Sequence, residues 1–128
     1  MSRGLADTSL FVAREIGRPL DVEAVPHELA VSVITIGELR AGVLVAADTE
    51  VRARRLATLT DALAMQPVPV DESVAASWAT LRVRLRDAGL RMPINDSWIA
   101  ATAMNLAVPI VTQDDDYPSV RGLDIIRV

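Results

Sequence analysis

Four acids are informative through where they lie, and two of them stand in stretches that otherwise carry almost no charge. Between Met92 and Thr112 the only formally charged residue is Asp96, and between Ala30 and Ala47 the only acid is Glu38, accompanied by Arg40. Asp7 follows the short apolar pair Leu5-Ala6, and Asp114 follows Ile110-Val111-Thr112. Each lies at the end of a predicted strand or in the first turns of a predicted helix. In a parallel α/β topology such positions converge at the carboxyl ends of the strands. Carboxylates sharing one partly desolvated cleft cannot all stay ionised unaided. A divalent cation resolves that conflict, and an oxygen-only donor set selects a hard ion, Mg²⁺ or Mn²⁺. Two such ions, roughly 3.5–4 Å apart, would activate water and stabilise the leaving oxygen of a phosphodiester without a protein nucleophile.

Taken singly, each acid has a plainer reading. Asp7 and Asp96 suit helix caps, Glu38 suits a capping box, and Asp114-Asp115-Asp116 suits a solvated acidic turn. Four unrelated caps, however, would not all have to fall on one edge of a sheet.

The rest of the composition narrows the chemistry. The 128 residues include no cysteine, which removes disulfides, thiolate zinc sites and cysteine nucleophiles. One histidine, His27, argues against multi-histidine metal sites; its loop, Val25-Pro26-His27-Glu28, predicts a surface position. All 13 basic residues are arginines, so a P-loop lysine, a Schiff-base lysine and a Ser-Lys pair are absent together. With 17 acids the formal net charge is −4, which offers no global attraction to nucleic acid or to an anionic membrane, so a polyanionic substrate must be held locally. No run of 18 apolar residues proposes a membrane span, and Asp7 interrupts what would be the apolar segment of a signal peptide between Met1 and Gly17. A cytoplasmic protein of one domain, residues 1–128, is expected. A mean hydropathy of +0.30 with four aromatic residues predicts an oligomer or an obligate partner.

The elements that must position the acids alternate short apolar runs with helical ones, the pattern of an α/β fold. A strand ends near Asp7, and Thr8 or Ser9 is placed to cap a helix running to Ile16, stopped by Gly17 and Pro19. Leu29 to Ile34 reads as a buried strand. Thr35-Ile36-Gly37-Glu38 has capping-box spacing and predicts a helix from there to about Ala47. Asp48 to Leu63 reads as a helix with Leu56, Leu59 and Leu63 on one stripe. Gln66 to Val70 reads as a very short or edge strand, because it contains two prolines. Asp71 is expected to cap a helix through Ala88, with Val74, Trp78, Leu81 and Leu85 inward. Asn95 or Asp96 would start another helix ending near Leu106, followed by strands at Pro109 to Thr112 and Leu123 to Val128. The expected architecture is a mainly parallel twisted sheet of four to five strands with helices on both faces.

Segments in this order also carry a resemblance. Leu5-Ala6-Asp7-Thr8-Ser9, Ser32-Val33-Ile34-Thr35-Ile36-Gly37-Glu38-Leu39 with Gly42, Asn95-Asp96-Ser97-Trp98-Ile99-Ala100-Ala101 and Val111-Thr112-Gln113-Asp114-Asp115-Asp116-Tyr117 together resemble a PIN-domain ribonuclease of the VapC toxin type, over essentially the whole chain. The resemblance implies a PIN-like fold and a metal-dependent endoribonuclease whose acidic quartet corresponds to Asp7, Glu38, Asp96 and Asp114. It implies Asp116 as an additional metal-binding acid, with Thr112 and Asn95 in support. The family's pattern commonly has Phe where Tyr117 stands. A homodimer and a small VapB-like antitoxin are implied as partners, with RNA as substrate. For RNA binding the candidates are Arg82 and Arg86, four apart on one helix face, with Arg54 and Arg55; for each arginine a solvated face is the competing reading. Trp78 and Trp98 fit apolar stripes and are expected in the core or a dimer contact.

Three other readings come from outside a catalytic nuclease. A degenerate PIN scaffold would bind antitoxin or RNA without cutting. A receiver-like phosphoacceptor normally needs a lysine, and a haloacid-type phosphatase wants a second aspartate where this chain has Ser9.

Overall fold

The computed structural model describes residues 2–128. Its elements are β1 (Arg3–Ala6), α1 (Thr8–Ile16), β2 (Glu28–Val31), α2 (Val33–Val45), α3 (Thr49–Leu63), α4 (Glu72–Asp87), α5 (Ile94–Leu106), β3 (Ile110–Thr112) and β4 (Ile125–Arg127). The sheet order is β2-β1-β3-β4 and every pairing is parallel. Leu5 aligns with Ala30 and Ile110, and Ala6 with Val31 and Val111. Because side chains alternate along a strand, Leu5 and Ile110 turn to one face, under Leu81 and Leu85 of α4 and Ile99 and Ala103 of α5. Ala6 and Val111 turn to the other, against Leu10 and Phe11 of α1. Helices thus cover both faces, as expected for a PIN-like α/β sheet. A third cluster, Leu39, Leu59 and Ala62, ties α2 to α3.

Parallel pairing puts all strand carboxyl ends on one edge, and three chain turns follow there. β1 leads into Asp7, β2 into Ser32, and β3 into Gln113 and Asp114. The short connection from α5 to β3 sets the end of α5 beside the start of that strand. The start of α5, with Asp96, therefore lies back at the carboxyl edge.

Several local expectations are corrected. The cap of α1 is Asp7, whose side chain accepts the Ser9 amide, rather than Thr8 or Ser9. The buried strand ends at Val31, and Ser32 caps α2 through the Ile34 amide at 3.0 Å, so Thr35 and Glu38 are interior helical residues and form no capping box. Their side chains are drawn instead toward α1. Leu59 is buried, but Leu56 and Leu63 are 51% and 43% exposed, since only a narrow stripe of α3 meets α1 and α2. Gln66 to Val70 supplies one parallel bridge, Ser32 with Val68, and no strand; its prolines remove the donors a ladder requires. Pro93, without a side-chain cap, precedes α5, so Asp96 lies inside the first turn. Among the described residues no helix is long and apolar enough to cross a membrane.

Candidate active site

Asp7 is only 2% exposed and its carboxylate is surrounded by donors. Oδ2 accepts the Ser9 amide at 3.3 Å and the Thr112 hydroxyl at 3.0 Å, while Oδ1 accepts the Tyr117 hydroxyl at 2.8 Å. An ionised carboxylate offers about four lone-pair sites. Three are taken, and the one left open is on Oδ1. Thr112 gives its single proton to Asp7 and accepts the Asp114 amide at 2.9 Å, so Ser9 Oγ, 3.1 Å away, must donate toward Thr112. Ser9 Oγ in turn accepts the Gln113 amide at 3.0 Å. This closed chain of hydroxyls links the turn after β1 to the turn after β3.

Glu38 is held by a second chain. Thr8 Oγ1 donates to Glu38 Oε1 at 2.9 Å; having spent its proton, it must accept from Thr35 Oγ1, also 2.9 Å away and fully buried. Among the described residues Oε2 of Glu38 has no protein donor. α2 therefore presents Glu38 from its second turn, and α1 fixes it from across the groove.

Asp96 is half-buried in the first turn of α5, where the helix amide dipoles favour negative charge. Burial nonetheless pushes its pKa up to about 7, reinforced by the negative charges of Asp7, Glu38, Asp116 and Asp114. Burial also raises Asp114, with Asp7 and Asp116 adding to it and Arg18 opposing. Tyr117, 1% exposed, is driven far above the usual tyrosine range by burial and by the charge of Asp7, so it stays a hydrogen-bond donor. Among the described residues none of Asp7, Glu38, Asp96, Asp114 or Asp116 forms an ion pair, whereas Asp115 pairs with Arg127 at 3.2 Å. The edge thus gathers negative charge that no ion pair neutralises among the described residues, with Arg18 the one cation felt by Asp114.

The remaining predicted residues are placed as follows. Thr112 is a positioning donor to Asp7, and Asn95 is exposed on the first turn of α5. Arg55 binds the Gly42 carbonyl at 2.7 Å and so ties α3 to α2, while Arg54 borders a surface groove with Glu15 and Asp61. Arg82 lies over Trp78 and Arg86 pairs with Asp87. Trp78 and Trp98 stack on each other, half-buried, with centroids 4.4 Å apart. His27 is exposed and bonds Ser2. Sequence reasoning missed the roles of Thr8, Ser9, Thr35 and Tyr117. The available signal was the run of hydroxyl residues directly after Asp7 and three before Glu38.

The PIN domain family model matches residues 5–123 of this chain. The chain is 49% identical over 128 residues to Ribonuclease VapC5 of Mycobacterium tuberculosis, covering 98% of this chain and 95% of that one. To Ribonuclease VapC4 of the same organism it is 47% identical, covering 98% and 97%. The solved structure of VapBC-5 from M. tuberculosis, a member of the VapBC family of toxin-antitoxin systems, superposes with a TM-score of 0.90 at 45% identity over 100% of both chains. The chain belongs to the PIN-domain family, and within it to the VapC type.

Proposed function

We propose that this chain, acting as one catalytic unit over residues 1–128, is a divalent-metal-dependent endoribonuclease toxin. Asp7, Glu38, Asp96 and Asp114 form its acidic quartet, with Asp116 beside them. The ribonuclease activity follows from the VapC relatives; the residue assignment rests on one observation, the gathering of these acids at the carboxyl edge of the sheet, where burial first and the charges of Asp7, Glu38, Asp116 and Asp114 second push Asp96 up to about 7.

The donor set fits a hard cation. It offers only oxygens, one open lone pair on Asp7 Oδ1 and a free Glu38 Oε2. Among the described residues no three acids or histidines form a ready-made three-ligand site. Mg²⁺ keeps several waters and is held through one or two carboxylates. When bound, the ion would supply charge neutralisation and a more acidic water. Asp7 and Asp96 would hold it directly, and Asp114 and Asp116 directly or through water. Glu38, locked by Thr8 and Thr35, would present Oε2 either as a further ligand or as acceptor of the attacking water's proton.

A VapB-like antitoxin is the proposed partner. A groove of about 440 Å³ between α1 and α2, lined by Val12, Ile16, Leu39 and Val45, opens onto Thr8 and Glu38, so a peptide filling it would reach the acidic edge. A homodimer is proposed to cover other exposed apolar residues such as Val83 and Ile94, and the cytoplasm is the proposed compartment.

Purified protein incubated with total RNA in Mg²⁺ or Mn²⁺, with cleavage ends mapped and EDTA as control, tests the reading. Cleavage is expected only with metal, and Asp7→Asn or Asp96→Asn should lower it about 100-fold or more while circular dichroism stays native. Cleavage undiminished in EDTA would remove the metal, and undiminished activity in a variant would remove that residue. Antitoxin binding without any cleavage would favour the non-catalytic scaffold.

A further inference from the structure

Arg82 and Arg86 are four apart on α4, a spacing at which like charges repel on a helix surface and cost stability. Arg91, on the connection to α5, joins them around a cavity of about 370 Å³ floored by Leu85, Leu90 and Met92, with no carboxylate in its lining. Three guanidinium groups gathered around a cavity whose lining holds no acid do not serve stability, in a chain whose net charge is −4. Among the described residues neither Arg82 nor Arg91 has an ion-pair partner. The pair between Arg86 and Asp87, 3.2 Å with side chains 75% and 66% exposed, is of the kind that exchanges readily for a better anion.

Arg82 is also held in place before any ligand arrives. Its guanidinium carbon lies 5.3 Å from the ring centroid of Trp78, which stacks on Trp98 at 4.4 Å and whose Nε1 donates to Ser97 Oγ at 3.0 Å. Trp78 is thus engaged by both Arg82 and Trp98. Its effect is to fix Arg82, which lowers the ordering cost of clamping an anion. Ser97 and Trp98 follow Asp96 directly, so the ladder is anchored on the same turn of α5 as the acidic edge. Met92, in the floor, is four residues before Asp96, a span of at most about 14 Å.

We infer that Arg82, Arg86 and Arg91 form a phosphate-binding subsite for the RNA backbone, beside the acidic edge and outside the position of the bond to be cut. This rests on the ribonuclease reading above. The guanidinium forks match phosphate oxygens, and the apolar floor accommodates a sugar or base edge. Arg54 and Arg55 are not part of it, since Arg55 is committed to the Gly42 carbonyl.

The test is binding of a fluorescein-labelled single-stranded RNA of randomised sequence, followed by anisotropy in EDTA so that no cleavage intervenes, at several salt concentrations. Arg82→Gln with Arg91→Gln is expected to raise Kd about 5- to 10-fold and to flatten the plot of log K against log salt by about 1.4, or 0.7 for each lost contact. With Mg²⁺ added, KM for cleavage should rise and kcat stay, because the subsite is remote from the reacting atoms. Arg91→Gln alone leaves the tryptophan ladder untouched and should give half the change in slope. Arg3→Gln, which alters net charge at the opposite end of the strands, should change neither. Unaltered Kd and slope in the double variant, an equal loss in Arg3→Gln, or a loss of antitoxin affinity in place of RNA affinity would overturn the subsite. Absence of cleavage by the parent protein under every metal condition would instead bring down the ribonuclease reading.

Discussion

Asp96 carries the electrostatic tension of the site, and its titration has a defined sign. Its folded-state pKa, about 7, stands above the ordinary 3.8, so between those values the folded protein holds the extra proton. Stability of the metal-free protein therefore falls as pH rises through that window and levels off above it. Reduced for the solvent that reaches a half-buried group, the loss is about 1 to 2 kcal/mol. Asp96→Asn should remove it, so thermal unfolding followed in EDTA from pH 4 to 8 should show the two proteins diverging as pH rises, the variant ending the more stable. Parallel curves would mean that Asp96 does not feel its neighbours. Tyr117 acts on the same cluster from beneath. Replacing it by Phe strips the 2.8 Å donor from a carboxylate that is 2% exposed, at a cost of about 1.5–3 kcal/mol. Because it also frees a second lone pair on Oδ1, urea unfolding in EDTA should register more of this loss than unfolding in Mn²⁺; equal losses would separate Tyr117 from the metal site.

The elements matter through where they start. Ser32, fully buried, ends β2 and caps α2, and that cap decides which turn of the helix brings Glu38 to the edge. Ser32→Ala should cost about 1 kcal/mol and lower Tm by about 3–5 °C. Cleavage should change little, since Thr8 holds Glu38 independently from α1. A lost cleavage rate at unchanged Tm would show that the cap positions Glu38 rather than only stabilising the helix. The same region shows what sequence could disclose. Strand and helix order, the parallel sheet and the isolation of Asp96 and Glu38 in uncharged stretches were legible, because apolar periodicity and desolvated charge are local signals. The start of α2 was not, because Ser32 and Thr35 are both competent caps by type and only the pairing of Val31 with Ala6 fixes where the strand stops. The hydroxyl chains through Thr8, Thr35, Ser9 and Thr112 were likewise illegible, since they join residues 27 to 103 positions apart and depend on tertiary register.

At the scale of the whole molecule, the chain folds around a cluster of like charge that it leaves unneutralised, in a protein already carrying a net −4. Folding brings these acids together, whereas the unfolded chain keeps them apart, so a cation that they share binds the folded state preferentially and must stabilise it. At a free metal concentration 100 times its Kd the gain is about 2.7 kcal/mol, which for a chain of this size is a rise in Tm of roughly 8–13 °C. Monovalent salt also weakens the repulsion, but only by screening, and a half-buried cluster is screened incompletely. Calorimetry at pH 8 should therefore show a larger shift in MgCl₂ or MnCl₂ than in NaCl of equal ionic strength. In Asp96→Asn the metal-free protein should start higher and the divalent increment should shrink toward that of NaCl. Matching shifts in the two salts for the parent protein would mean that the acids form a diffuse negative field and hold no ion, and the cleavage chemistry would then need another source of charge at the scissile phosphate.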